Sequence, residues 1–286
     1  MDEPNPLRIT AVESEFGLNN VRLWRSDGKV ANFNREFRFE SHFASIALLP
    51  EMNMAVFVPQ NGERFVVELP TVNDNAPLRG RPVVYLDQGI WSRIATALWR
   101  PEKLDDQEVV AARWLKELAD RRLVVVPFSS GNLIETSHWR DTERRRQLVL
   151  CIAGMSRGWQ MLDPLTMRAN EMRNGLAQYY GKHPASHTPP WTLRPNASFD
   201  SVAEGTAVPD VGANPEVQLM FEAAASTHTF FDTLLAEESM QRLDSAVGWA
   251  EVWNEFCAVM RAGDRSQNKV EQGVRLRFLL DLIREL

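Results

Sequence analysis

Two acidic residues follow apolar runs of the kind that form buried strands. Asp87 comes directly after the run 83–86, and Glu135 lies on the helical pattern that follows the run 123–127. Functional sites in open parallel sheets form at the carboxyl ends of the strands, so we expect the two carboxylates to converge if the strands are neighbours. Ionised carboxylates at short range repel each other, and a divalent cation removes that cost. The pair therefore predicts a site for Mg²⁺ or Mn²⁺, which would activate water and neutralise a scissile phosphate.

Each acid alone also has a structural explanation. Asp87 stands where the N-cap of a helix starting near Gly89 is expected, and aspartate is a preferred N-cap residue. Glu135 alone fits a solvated position on a helix. The functional interpretation depends on the pair, because the two acids occupy corresponding places in two strand–helix units.

The predicted secondary structure changes along the chain, from a β-rich N-terminal part to the strand and helix patterns that contain the two acids. Residues 1–78 show short alternating patterns around turn signals such as Ser26-Asp27-Gly28, which predict a small antiparallel β module. Residues 71–82 are rich in Asn, Pro and Gly and predict a linker. In residues 79–286, apolar strand patterns alternate with helical ones before a helical C-terminal part. This order favours a short parallel sheet with right-handed crossovers.

Composition and charge exclude several classes of protein. The chain has 286 residues with a formal net charge of -6, which does not suit a protein that coats long nucleic acid by charge alone. The N-terminus MDEPNPLRI lacks the apolar core of a signal peptide, and no apolar run approaches the length of a membrane span. Cys151 and Cys257 have no metal-ligand spacing and are expected to be reduced thiols. We therefore expect a cytoplasmic protein without a membrane partner.

The runs VVYLDQGIWSRIA and LVVVPFSSGNLIETSHWRDTERRRQLVLCIAGMSRG resemble the PIN-domain-like nucleases. The likeness is to the bacterial branch with a "YLDQN-W" pattern, followed by "P-S-...-E-T" and an arginine- and leucine-rich helix that ends in Ser-x-Gly. The matching residues are Tyr85, Leu86, Asp87, Gln88, Trp91, Pro127, Ser129, Glu135, Thr136, Arg145, Ser156 and Gly158. The resemblance covers residues 82–158, and Gly89 stands where the pattern has asparagine.

The resemblance implies a three-layer α/β/α sandwich with a short parallel sheet. It also implies hydrolysis of phosphodiesters, in RNA in preference to DNA, at an acidic Mg²⁺ or Mn²⁺ site that includes Asp87 and Glu135. Such enzymes often act as toxins or in defence against phage, so the resemblance also implies that the partner could be an inhibitor or antitoxin protein. The family's later acids, often in a Y-x-D segment, have no match here. The late acids available are Asp200, Asp210, Asp232, Asp264 and Asp281.

Three alternatives to the nuclease stay open. The domain could bind RNA or another protein without cutting it, or the chain could be a fragment that lacks the last acids. In the third alternative the chain is an ordinary α/β protein in which Asp87 only caps a helix.

The remaining candidates have both functional and structural explanations. Ser129 is expected as a helix cap or a positioning hydroxyl, since the G-x-S-x-G elbow of a serine nucleophile is absent. Arg140 and Arg144 are one helical turn apart and could hold a phosphate backbone, or they could belong to a solvated helix face with pairs such as Asp141 to Arg145. The C-terminal helices would pack on the domain or form a homodimer contact through one apolar side, which comprises Leu276, Leu279, Leu280 and Ile283.

Overall fold

The computed structural model describes residues 9–34, 42–60, 63–71, 78–183, 189–198 and 215–235. The chain divides into two compact units, of which the first comprises residues 1–73 and 208–286 and the second comprises residues 74–207. The sequence-based division into 1–78 and 79–286 differs from this grouping, which places residues 208–286 with the N-terminal unit. Cys257 and the apolar C-terminal side from Leu276 to Ile283 lie outside the described residues.

The first unit contains a six-stranded antiparallel sheet with the order β3-β2-β1-β4-β5-β6. Its strands lie where the alternating sequence patterns predict the β module. They are β1 (Ile9–Glu15), β2 (Asn20–Arg25), β3 (Val30–Asn34), β4 (Phe43–Leu49), β5 (Met54–Pro59) and β6 (Phe65–Glu68). The turn between β2 and β3 requires a left-handed residue, which Gly28 supplies with a φ of 78°.

Aromatic side chains from the sheet and from one helix form the core of this unit. Helix α6 (Pro215–Leu235) contributes Phe231, whose ring centroid lies 4.8 Å from that of Phe43 and 5.4 Å from that of Phe65. Phe57 on β5 lies 5.2 Å from Phe43 in an edge-to-face arrangement. The sheet therefore buries one face under α6, as a sheet with one apolar face requires.

The second unit is mainly helical. It contains α1 (Gln88–Trp99), α2 (Asp106–Asp120), α3 (Ser130–Ser137), α4 (Thr142–Ser156), β7 (Gln160–Met161), α5 (Pro164–Tyr179) and β8 (Trp191–Thr192). Helix α1 packs against α2, α3 and α4, and α4 buries most of its second half, including Val149 and Ile152. None of the described helices has the length and apolar character needed to cross a bilayer.

The predicted three-layer α/β/α fold with a short parallel sheet is wrong, because the main sheet is antiparallel. In the described part of the second unit, parallel pairing is limited to two isolated bridges, Val83 with Val125 and Phe128 with Gln160. Strand β7 pairs with β8 in the antiparallel sense.

Proline explains why the first of these bridges does not grow into a ladder. Val84 N donates to Val125 O at 2.8 Å, and Val125 N donates to Pro82 O at 2.9 Å. In a parallel ladder the next bonds on either side would come from the backbone nitrogens of residues 82 and 127. Both positions are prolines, which have no N–H to donate. The predicted strands are therefore extended segments joined at a single point.

Removing the ring of Phe43 should destabilise the first unit. Phe43 is fully buried, and we expect Phe43→Ala to lower the free energy of unfolding by about 3–5 kcal/mol through loss of apolar burial and creation of a cavity. Urea denaturation followed by circular dichroism measures this. The control, Leu18→Ala, changes a side chain that is 73% exposed and should alter stability by less than about 0.5 kcal/mol. Equal effects of the two substitutions would contradict the described core.

Candidate functional site

Asp87 is exposed and is the N-cap of α1. Its Oδ1 atom accepts a hydrogen bond from the backbone N–H of Ile90 at 2.8 Å. Burial alternates through this segment, since Tyr85 and Asp87 are exposed whereas Leu86 and Gln88 are buried. The structural role expected of Asp87 is therefore present, and the second carboxylate oxygen has no hydrogen bond to any described residue.

Glu135 is exposed on α3, and the start of that helix is fixed by Ser129. The Ser129 hydroxyl oxygen accepts from Asn132 N at 3.3 Å, while Asn132 Oδ1 accepts from Ser129 N at 2.9 Å. This reciprocal arrangement is a capping box, with asparagine in the position usually held by Glu or Gln. Ser129 is therefore a helix cap, and its hydroxyl is engaged with the start of α3.

A buried polar cluster joins the two helices that carry the acids. Gln88 Nε2 donates to Thr136 Oγ1 at 2.9 Å, and Asn132 Nδ2 donates to Gln88 Oε1 at 3.4 Å. The three side chains are each at most 9% exposed. Gln88 directly follows Asp87, and Thr136 directly follows Glu135. The hydrogen-bonded contact between α1 and α3 thus includes the immediate sequence neighbours of both acids.

Asp163 is a further acid of the second unit that the sequence patterns did not indicate. It lies just after β7 and caps α5, with Oδ2 accepting from Thr166 N at 3.1 Å and from Thr166 Oγ1 at 3.2 Å. The parallel bridge between Phe128 and Gln160 places β7 beside the segment that leads to Ser129. Unlike the other two acids, Asp163 is only 5% exposed.

A sequence signal for Asp163 was available. An aspartate directly before a proline is typical of an N-cap followed by proline at the first helical position. Four of the late acids named from the sequence lie outside the described residues, namely Asp200, Asp210, Asp264 and Asp281, and so does the side chain of Asp232.

The number of metal-ligating side chains that lie close together determines how a metal ion could be held. In the part of the chain that the structure describes, no three His, Cys, Asp or Glu side chains come together as a metal site. Mg²⁺ often keeps several waters and takes one or two carboxylates together with substrate phosphates. The exposed carboxylates of Asp87 and Glu135 fit this open mode of binding in their donor chemistry, whereas the described residues offer no all-protein cage.

The arginines that follow Glu135 are partly used within the chain. Asp141 caps α4 by accepting from Arg144 N at 3.1 Å, and it also pairs with the Arg144 guanidinium at 3.3 Å. The expected pair of Asp141 with Arg145 is replaced by this one, since Arg145 Nη1 donates to the carbonyl of Trp139 at 3.2 Å. Arg140 is exposed and has no side-chain bond to a described residue, so it remains the better candidate for a phosphate contact.

Two charged neighbours on α4 neutralise each other. Glu143 accepts hydrogen bonds from Arg146, and this bonding lowers the pKa of Glu143 and raises that of Arg146.

Farther along the same helix, burial raises the pKa of the Cys151 thiol to about 12, with Lys116 opposing the shift. Cys151 therefore stays protonated at neutral pH and is not a nucleophile.

Neither a protein-family model, nor a curated protein, nor a solved structure matches this chain.

Substitutions at Gln88 and Thr136 should show strong energetic coupling. Each single change, Gln88→Leu or Thr136→Val, leaves a buried polar partner without its hydrogen bond, so we expect each to lower the free energy of unfolding by about 1–3 kcal/mol. The double variant removes both partners and should lose less than the sum of the two. Urea denaturation of the four proteins measures the coupling free energy. Additive losses would contradict the bond between α1 and α3.

Proposed function

We propose that this chain is a metal-dependent endonuclease that hydrolyses phosphodiester bonds, in RNA in preference to DNA, with Asp87 and Glu135 as its metal ligands. The observation that carries the proposal is the buried contact of Gln88 with Asn132 and Thr136, because it joins α1 and α3 at the residues adjacent to the two acids. The sequence resemblance supplies the type of chemistry, and the proposal does not depend on a parallel sheet.

The chain's own residues orient the acids and leave them open to substrate. The bond from Ile90 N restrains one oxygen of Asp87, and the side chains of Asp87 and Glu135 are both exposed to solvent. Mg²⁺ or Mn²⁺ held by these residues would supply activated water and neutralise charge on the phosphate. The exposed guanidinium of Arg140 is available for a phosphate at the nucleic-acid backbone.

One observation favours a second candidate, a module that binds RNA or protein without cleaving it. Among the described residues, no third ligand joins Asp87 and Glu135. A site with two carboxylates would hold a metal ion weakly in the absence of substrate phosphate. The two candidates differ in whether metal-dependent cleavage occurs.

The proposal is tested by a nuclease assay on mixed single-stranded RNA and DNA with Mn²⁺ or with chelator. We expect cleavage that requires Mn²⁺ and falls by about 100-fold or more in both Asp87→Asn and Glu135→Gln, because each removes a charge at the reacting phosphate. Asparagine caps helices about as well as aspartate, so loss of activity in Asp87→Asn should come without loss of stability.

Two matched variants control for general effects of the substitutions. Asp105 is also an exposed N-cap, and it accepts from Glu108 N at 2.8 Å, so Asp105→Asn repeats the chemical change on α2. Glu171 is an exposed glutamate on α5, and Glu171→Gln repeats the other change. Both controls should retain full activity. Cleavage that persists in Asp87→Asn and Glu135→Gln would show that the site is assigned wrongly, and binding without cleavage by the folded wild type would favour the second candidate.

A further inference from the structure

Tyr85 lies on the same side of its segment as Asp87. The alternation of exposed and buried residues from Tyr85 to Gln88 is that of extended backbone, in which every second side chain points the same way. At about 3.3 Å per residue, the Cα atoms of Tyr85 and Asp87 are roughly 7 Å apart. The Tyr85 ring is therefore on the same side of the chain as the carboxylate that is proposed to bind the metal ion.

The ring of Tyr85 is only partly covered by the fold. It is 55% exposed, and it has no hydrogen bond or ring contact with any described residue. Apolar side chains next to both acids are exposed as well, with Ile90 at 43% and Ile134 at 57%. Ile90 gives its backbone N–H to Asp87, and Ile134 directly precedes Glu135. The acids thus have apolar neighbours that the packing of the unit leaves about half exposed.

The charge of the protein favours a ligand that binds through more than its phosphates. A chain with a net charge of -6 gains little affinity from charge neutralisation alone, whereas stacking of bases on aromatic rings does not need a basic surface. Unpaired bases present flat apolar faces, and bases within a duplex are already stacked on each other.

We propose that Tyr85 is a stacking platform for an unpaired base of a single-stranded nucleic acid whose adjoining backbone lies at Asp87. This inference rests on the proposed function, and it adds a residue that selects single strands over duplexes. The base on Tyr85 would fix the position of the neighbouring phosphodiester relative to the two acids.

The test measures binding of a labelled single-stranded RNA, and of the matched duplex, by fluorescence anisotropy in chelator so that no cleavage intervenes. We expect Tyr85→Ala to raise the Kd for the single strand by roughly 5- to 150-fold, the range for loss of one base–aromatic stack. Tyr85→Phe keeps the ring and should bind as the wild type does. The duplex should bind more weakly than the single strand and should be insensitive to Tyr85→Ala.

Tyr179→Ala is the matched control. Tyr179 is 82% exposed and ends α5, which at about 1.5 Å per residue places it roughly 24 Å along that helix from its start after Asp163. Loss of this ring should leave binding unchanged. Equal weakening by Tyr85→Ala and Tyr179→Ala would overturn the proposal, since it would indicate a diffuse effect of exposed rings.

The outcomes separate this inference from the nuclease itself. Wild-type affinity in Tyr85→Ala, or no binding by the wild type, overturns the platform, whatever the cleavage assay shows. Weaker binding in Tyr85→Ala that Tyr85→Phe restores supports the platform, even if the wild type fails to cleave. In that case the nuclease proposal fails and a single-strand-binding module remains.

Discussion

The hydrogen bonds of one buried amide, Gln88, join α1 to α3 at residues next in sequence to both candidate acids. A buried amide that loses its partners costs about 1–3 kcal/mol, so the start of α1 is held where Thr136 and Asn132 of α3 can satisfy it. Asp87 and Glu135 are next in sequence to members of this cluster and are carried with it. The structure thus places buried neutral groups at the contact between α1 and α3 and leaves the two neighbouring carboxylates exposed.

Local features of the fold could be predicted from the sequence, whereas the pairing of its strands could not. The helical patterns at 90–99 and 106–120 correspond closely to α1 and α2, because their spacing and their aspartate caps are encoded locally. The apolar runs 83–86 and 123–127 favoured a parallel sheet. An apolar pattern indicates that a segment is buried, but it does not show whether the segment has the backbone N–H groups that a ladder needs. Pro82 and Pro127 remove the donors on both sides of the single bridge.

At the candidate site, too, the local features could be predicted from the sequence and the contacts between distant residues could not. The capping roles of Asp87 and Ser129 follow from their positions at helix starts, and the structure contains both. The bond from Gln88 to Thr136 joins residues 48 positions apart in sequence. Hydrophobic periodicity does not predict that a glutamine is buried or which distant residue it bonds. The packing of Phe231 on the sheet is likewise a contact between distant parts of the chain, and for that reason the sequence-based boundary separates α6 from the strands.

Binding of Mn²⁺ to the folded protein, followed by electron paramagnetic resonance, tests most directly whether Asp87 and Glu135 form one site. The signal of free Mn²⁺ decreases when the ion binds, so a titration extended to high Mn²⁺ concentrations measures even the weak affinity expected of two carboxylates without substrate phosphate. The account predicts that Asp87→Asn and Glu135→Gln each weaken binding and that Asp105→Asn does not. Binding that is unchanged in both site variants, or that is lost equally in Asp105→Asn, would contradict the account.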